Sequence, residues 1–207
     1  MSTARFIKTD VLAAGIYPQL PYFCGASSVL AVLRCATGEH LDEHDLHRRY
    51  GIDPSIRKER GMSNWDIIRL FNAGLLDAGR TPHTLLLCGN DYVRKHWIAD
   101  QRFREWMKAT GNYGIVHLRG HYAAVAGVYE DSQGDWHFVL VDSGRRRGPV
   151  RSINHSQLHD LASADARYGV ILLSLTNITG DWIGPVSEAM APPETVEQIR
   201  LPRLAQQ

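Results

Sequence analysis

The chain has 207 residues, 44% of them hydrophobic, and a formal net charge of +1 at pH 7. That length suits one domain with room for a tail, and that composition builds a substantial core. The near-zero charge argues against bulk attraction to nucleic acid or to a membrane surface, no apolar run is long enough to span a bilayer, and three cysteines without a CxxC pair speak for a reducing compartment rather than a disulfide framework or a structural zinc site.

In chain order, Met1 to Tyr17 reads as an irregular arm or a short strand, without the apolar core of a signal peptide. The next stretch runs Gln19-Leu20-Pro21-Tyr22-Phe23-Cys24-Gly25-Ala26-Ser27-Ser28 and opens into Val29, Leu30, Val32 and Leu33, the spacing of a buried helix. Pro21 keeps Leu20 out of the helical region, so Cys24 is expected at or near a helix N-terminus. Unpaired backbone N–H groups there favour negative charge, and a thiolate is the nucleophilic form of cysteine. Gly25 and Ala26 are expected to leave the sulfur open to a substrate. Thr37-Gly38 stops the helix, and Cys35 reads as packing.

A short polar helix follows over His40 to Tyr50, and its His40, His44 and His47 read as a solvated face rather than metal ligands. Gly51 to Gly61 is a charged excursion. Ser63 and Asp66 cap the next helix, which carries Ile67, Leu70, Phe71 and Leu75 on one stripe and closes at Gly79. His83 to Cys88 is a short strand, and Asp91 to Lys108 is helical with Trp97, Phe103 and Trp106 on its apolar faces. The period then changes to that of strands over Tyr113–Leu118, His121–Tyr129 and Trp136–Asp142, the last two joined by a polar hairpin loop. The basic loop Arg145-Arg146-Arg147, a helix over His155–Ala162 and an apolar strand over Tyr168–Leu175 complete a domain of residues 1–176. Residues 177–207, with four prolines, form a tail. Helices first and sheet last make an α+β domain.

The hairpin brings chemistry together. A loop centred on Ser132 and Gln133 pairs Asp131 with Gly134 and, continuing, Ala123 with Asp142. His121 shares a face with Ala123, so Asp142 lies diagonal to it, within reach of its imidazole; a bulge of one residue would spoil the match. Cys24 is the best nucleophile of the three cysteines, with His121 as its base and acid and Asp142 holding the ring. Gln19, five residues upstream, would complete an oxyanion hole with the Cys24 N–H, a donor commonly worth about 3–4 kcal/mol. Each residue also has a bland reading: a packed thiol, a strand-end histidine on a carbonyl, a loop-capping aspartate.

These residues resemble the papain-like cysteine peptidase superfamily over roughly Tyr17 to Leu175. The carriers are Gln19 with Cys24-Gly25, Gly120-His121-Tyr122, and Val139-Leu140-Val141-Asp142-Ser143. The resemblance implies a nucleophile helix and helical lobe packed on a C-terminal antiparallel sheet. It is most like the Josephin deubiquitinases, which have a glutamine five residues before the cysteine, although Asp142 stands where they usually carry asparagine. That branch implies a Cys24–His121–Asp142 protease cutting at the C-terminal tail of ubiquitin, with ubiquitin or a ubiquitin conjugate as partner. Trp65 and Trp97 would be groove contacts or core. The chain would need no cofactor or metal and act as a monomer, without nucleic acid or membrane. A bacterial protein of this cast would start in the bacterial cytoplasm and work in a host cytosol as a secreted effector. Phytochelatin synthases, which are γ-glutamylcysteine transpeptidases, are similar around Tyr22–Ser28 and Gly120–Tyr122, and bacterial double-glycine leader peptidases share the Cys-Gly. An inactive module binding through the same groove is the non-enzymatic alternative.

Overall fold

The period-two segments form one antiparallel sheet in the computed structural model, which describes residues 5–15, 23–39, 41–51, 61–87, 102–118, 120–142, 149–163 and 169–175. Its strands are β1 (Arg5–Ile7), β2 (His83–Leu87), β3 (Asn112–Leu118), β4 (His121–Glu130), β5 (Trp136–Val141), β6 (Val150–Asn154) and β7 (Gly169–Ser174). Their order is β2-β7-β3-β4-β5-β6. One edge of β4 is shared: residues 121–125 pair with β3 and residues 127–129 with β1.

The β4–β5 register decides which side chains meet at the end of the strands away from the loop. Next to the hairpin, Glu130 pairs with Trp136 and Gly127 with Val139, one residue out of step with the pairing expected from the loop. A bulge between Val125 and Gly127 then absorbs Ala126, and beyond it Val125 pairs with Leu140 and Ala124 with Val141. The expected register is thus restored by the far end of the strands, where Ala123 and Asp142 are next in line. The bulged carbonyl of Ala126 accepts the Lys8 N–H at 2.6 Å, so β1 locks the bulge in place. Gly127 makes this possible, because a Cβ there would meet the Phe6 carbonyl oxygen at 2.2 Å.

Helices α1 (Thr9–Gly15), α2 (Cys24–Thr37), α3 (Glu43–Tyr50) and α4 (Asn64–Asp77) form a lobe gathered around α2. Residues 25–33 of α2 are all buried, and the helix lies between β4 and α4. Gly38 ends it in the left-handed region at φ 76°, donating to the Arg34 carbonyl. The capping box of Ser63 and Asp66 forms as expected. Helix α3 starts later than the histidine spacing suggests, because Asp42 and Asp45 exchange side-chain and backbone bonds at 2.8 Å and fix the first turn there.

A lobe on one side is only half of the arrangement. Helices α5 (Arg102–Lys108) and α6 (His155–Ser163) cover the opposite face, where Phe103, Trp106 and Leu158 pack on Val125, Phe138, Leu140 and Leu172. Continuous apolar runs in β3, β4 and β7 are the sequence sign of strands buried on both faces. Strand β6 is an addition to the expected strands, as α1 is to the expected arm. Gln19, Cys88, Trp97, the excursion over 52–60 and the tail over 177–207 lie outside the described residues. No described helix is long and apolar enough to cross a membrane.

Candidate active site

Cys24 is the first residue of α2. Phe23 before it supplies no side-chain cap, so the acceptor that Ser, Thr or Asp would bring to the first turn is missing. The Cys24 sulfur fills part of that role: it receives the backbone N–H groups of Gly25 and Tyr122 and is hydrogen-bonded to the His121 ring. Helix tip, strand start and sulfur therefore converge on one point.

His121 opens β4 immediately after the turn at Gly120, whose φ is 65°. Its ring is partly buried, and Nε2 lies 2.7 Å from Oδ1 of Asp142, which is only 3% exposed. With Nε2 committed to the carboxylate, Nδ1 is the ring nitrogen left for Cys24. The diagonal contact is the one the hairpin register implies, and it survives because the bulge shifts the strands back into step. Asp142 is itself anchored, its N–H donating to the Pro149 carbonyl at 2.7 Å.

The electrostatics follow from these contacts. Burial pushes the Cys24 thiol up, but the His121 hydrogen bond, the Tyr122 N–H, the His121 charge and the Gly25 N–H together outweigh it, and the thiol sits below its ordinary value. His121 is raised to about 9, first by its hydrogen bond to Asp142 and then by that to Cys24, against burial. Both shifts favour the thiolate–imidazolium form of the pair over the neutral one. Cys35 is the contrast: burial, then the Asp10 charge, push its thiol up to about 11. Iodoacetamide at pH 7 is therefore expected to label Cys24 at least about 100-fold faster than Cys35. Mass spectrometry of the digested peptides checks this, and equal or reversed labelling would contradict it.

The structure brings Cys24, His121 and Asp142 together. Gly25 and Ala26 do not open the sulfur to solvent as expected. Both are buried, and a Cβ on Gly25 would meet Ile67 Cδ1 at 2.8 Å and the Met62 sulfur at 3.1 Å. A side chain there would push against Ile67 and Met62 where α2 meets the start of α4. Gly25→Ala is expected to cost about 1–3 kcal/mol of stability by overpacking, measured by chemical denaturation, and to slow Cys24 labelling as the helix tip moves. Trp65 is 48% exposed, so it is a surface group rather than core. His117 stacks on the Tyr122 ring at 4.1 Å, and His137 pairs with Asp131 at 2.8 Å, at the hairpin end of β5.

Two supporting groups escape a sequence reading. The single proton of the Tyr122 hydroxyl is shared between two acceptors, Asn64 Oδ1 at 2.8 Å and the Met62 carbonyl at 3.1 Å, tying the strand that carries His121 to the start of α4. In the sequence Tyr122 stands out only as the aromatic after His121, with nothing to mark this tie. Arg151 reaches toward Asp142 from β6, with Nε 3.9 Å from Oδ2. That strand, Val150–Asn154, buries a single side chain, so it lacks the alternation that would announce it.

No protein-family model matches the chain, and no curated protein does. Among solved structures, the Pseudomonas avirulence protein AvrPphB is similar at 15% identity and a TM-score of 0.29, over 79% of this chain and 97% of that one. A likeness that slight assigns neither a fold nor an activity.

Proposed function

We propose that the chain is a cysteine-dependent acyl hydrolase of papain-like type, with Cys24 as nucleophile, His121 as general acid and base, and Asp142 as the group that orients the ring. One observation carries this reading: a partly buried thiol at a helix tip shares a hydrogen bond with an imidazole whose other nitrogen is held by a buried carboxylate. A packed thiol, a strand-end histidine and a loop cap would not be expected to align in that order.

In this reading the Cys24 thiolate attacks the carbonyl carbon of an amide, forming a C–S bond. His121 gives its proton to the leaving amine as the C–N bond breaks. Water then attacks the thioester, His121 takes the water proton, and the C–S bond breaks to release the acid. The Cys24 N–H is the proposed first oxyanion donor, and Gln19 the proposed second.

The narrower substrate is the C-terminal tail of ubiquitin, proposed from the glutamine-to-cysteine spacing and the strand pattern around His121 and Asp142. Gly25 and Ala26 give it no support, since both are buried and neither widens the approach to the sulfur. Ubiquitin bearing a C-terminal propargyl amide tests both levels beside iodoacetamide. An adduct at Cys24 supports the ubiquitin tail. Iodoacetamide labelling of Cys24 without that adduct removes ubiquitin and keeps the thiol chemistry. A Cys24 that reacts with neither probe overturns the proposal.

A further inference from the structure

Asp142 has a neighbour that the three-residue arrangement does not use. Arg151 of β6 stands directly across from Leu140 of β5. Leu140 and Asp142 are two residues apart and share a face. Arg151 is therefore diagonal to Asp142 from one side, just as His121 is from the other. The ladder is regular here: Val141 pairs with Val150, and Asp142 N–H donates to Pro149. Asp142 Oδ1 faces His121 Nε2 at 2.7 Å, and Oδ2 faces Arg151 Nε at 3.9 Å. That Nε is buried and makes no hydrogen bond among the described residues. A buried guanidinium N–H without a hydrogen bond thus lies within ion-pair distance of a buried carboxylate.

We infer that Arg151 is a positioning residue that holds the Asp142 carboxylate from the β6 side and limits how basic His121 becomes. The inference rests on the reading of Cys24, His121 and Asp142 as the working site. The charges run cation, anion, cation across three strands. Each cation weakens the other's hold on the shared carboxylate. Without Arg151, Asp142 would act on the imidazolium undiluted. An imidazolium that keeps its proton too firmly is a poor acid toward a leaving amine. The ionisable groups that face His121 are Asp142 from β5 and Cys24 from α2, with Arg151 behind Asp142.

The test is a ring titration of His121 by NMR in histidine-labelled protein, with His137 at the hairpin end of β5 as internal reference. Arg151→Met is expected to raise the His121 midpoint by about half a unit. Arg151→Lys, which returns the charge, is expected to recover most of that. In an Asp142→Asn background most of the effect of Arg151→Met should disappear, because its route is gone. An unmoved or lowered midpoint overturns the inference, and so does an equal shift with and without Asp142. If Arg151→Met does not fold, Arg151→Gln drops the charge while keeping a donor and is read by the same criteria. The titration needs no substrate, so loss of the hydrolase reading and loss of this link are separate results.

Discussion

Cys24→Ala is expected to abolish amide hydrolysis, by on the order of 10⁴-fold or more, while leaving the fold intact. The sulfur does two things in this structure. It accepts N–H groups at an uncapped helix start, and it shares a hydrogen bond with His121. A methyl group keeps the helix, whose stability comes from the buried stretch over residues 25–33, but it has no lone pair to attack a carbonyl. The same change removes one of the two hydrogen bonds that raise His121, so its midpoint should fall from about 9. Turnover of a peptide or ubiquitin-derived substrate, thermal melting and the His121 titration together check this. Retained turnover in Cys24→Ala would end the reading of Cys24 as nucleophile. Lost turnover with lost folding is resolved by Cys24→Ser, which keeps an acceptor at the helix tip.

The parts of the site that sit on strong local signals were legible in the sequence. Pro21, the run from Ser27 to Leu33 and Gly38 mark both ends of α2, and so the place of Cys24. The Ser63–Asp66 capping box marks α4. The His121–Asp142 contact could be read from hairpin geometry, though by a route in which two departures cancel. The loop is longer than a two-residue turn, which shifts the register by one, and the bulge at Ala126 shifts it back. No residue near Ser132 announces that bulge; its cause is β1, far away in sequence, seated against Gly127. What stayed hidden is tertiary in the same sense. Burial of Gly25 depends on Met62 and on Ile67 of another helix. Strand β6 has little apolar pattern of its own because it is an edge strand, held by its ladder to β5 and contributing one charged side chain to the site. Short-range physics singles out the candidate thiol; the register of distant strands decides which groups reach it.

Asp142→Asn is the second large effect, expected to lower kcat by about 10²–10⁴-fold with little change in KM. Asp142 is 3% exposed and supplies the leading cause of the raised His121. An asparagine of the same shape keeps the packing and the tie to Pro149 but removes the charge. His121 should then titrate well below 9, toward its ordinary 6.5. Imidazolium is the form that protonates the leaving amine, so the alkaline edge of activity moves down with it, and the working pH range narrows from that side. Stability responds with a matching sign. A histidine raised on folding contributes fully below its unfolded value near 6.5 and loses that contribution as the pH climbs through about 9. The stability difference between Asp142→Asn and the unaltered chain should therefore be largest at pH 6 and shrink toward pH 10. Allowing for a partly exposed ring, the pH-dependent part is about 1–2 kcal/mol. Denaturation midpoints across that range, alongside the pH profile of kcat, read both effects. An alkaline edge that stays near 9 in Asp142→Asn would mean that the carboxylate does not govern His121.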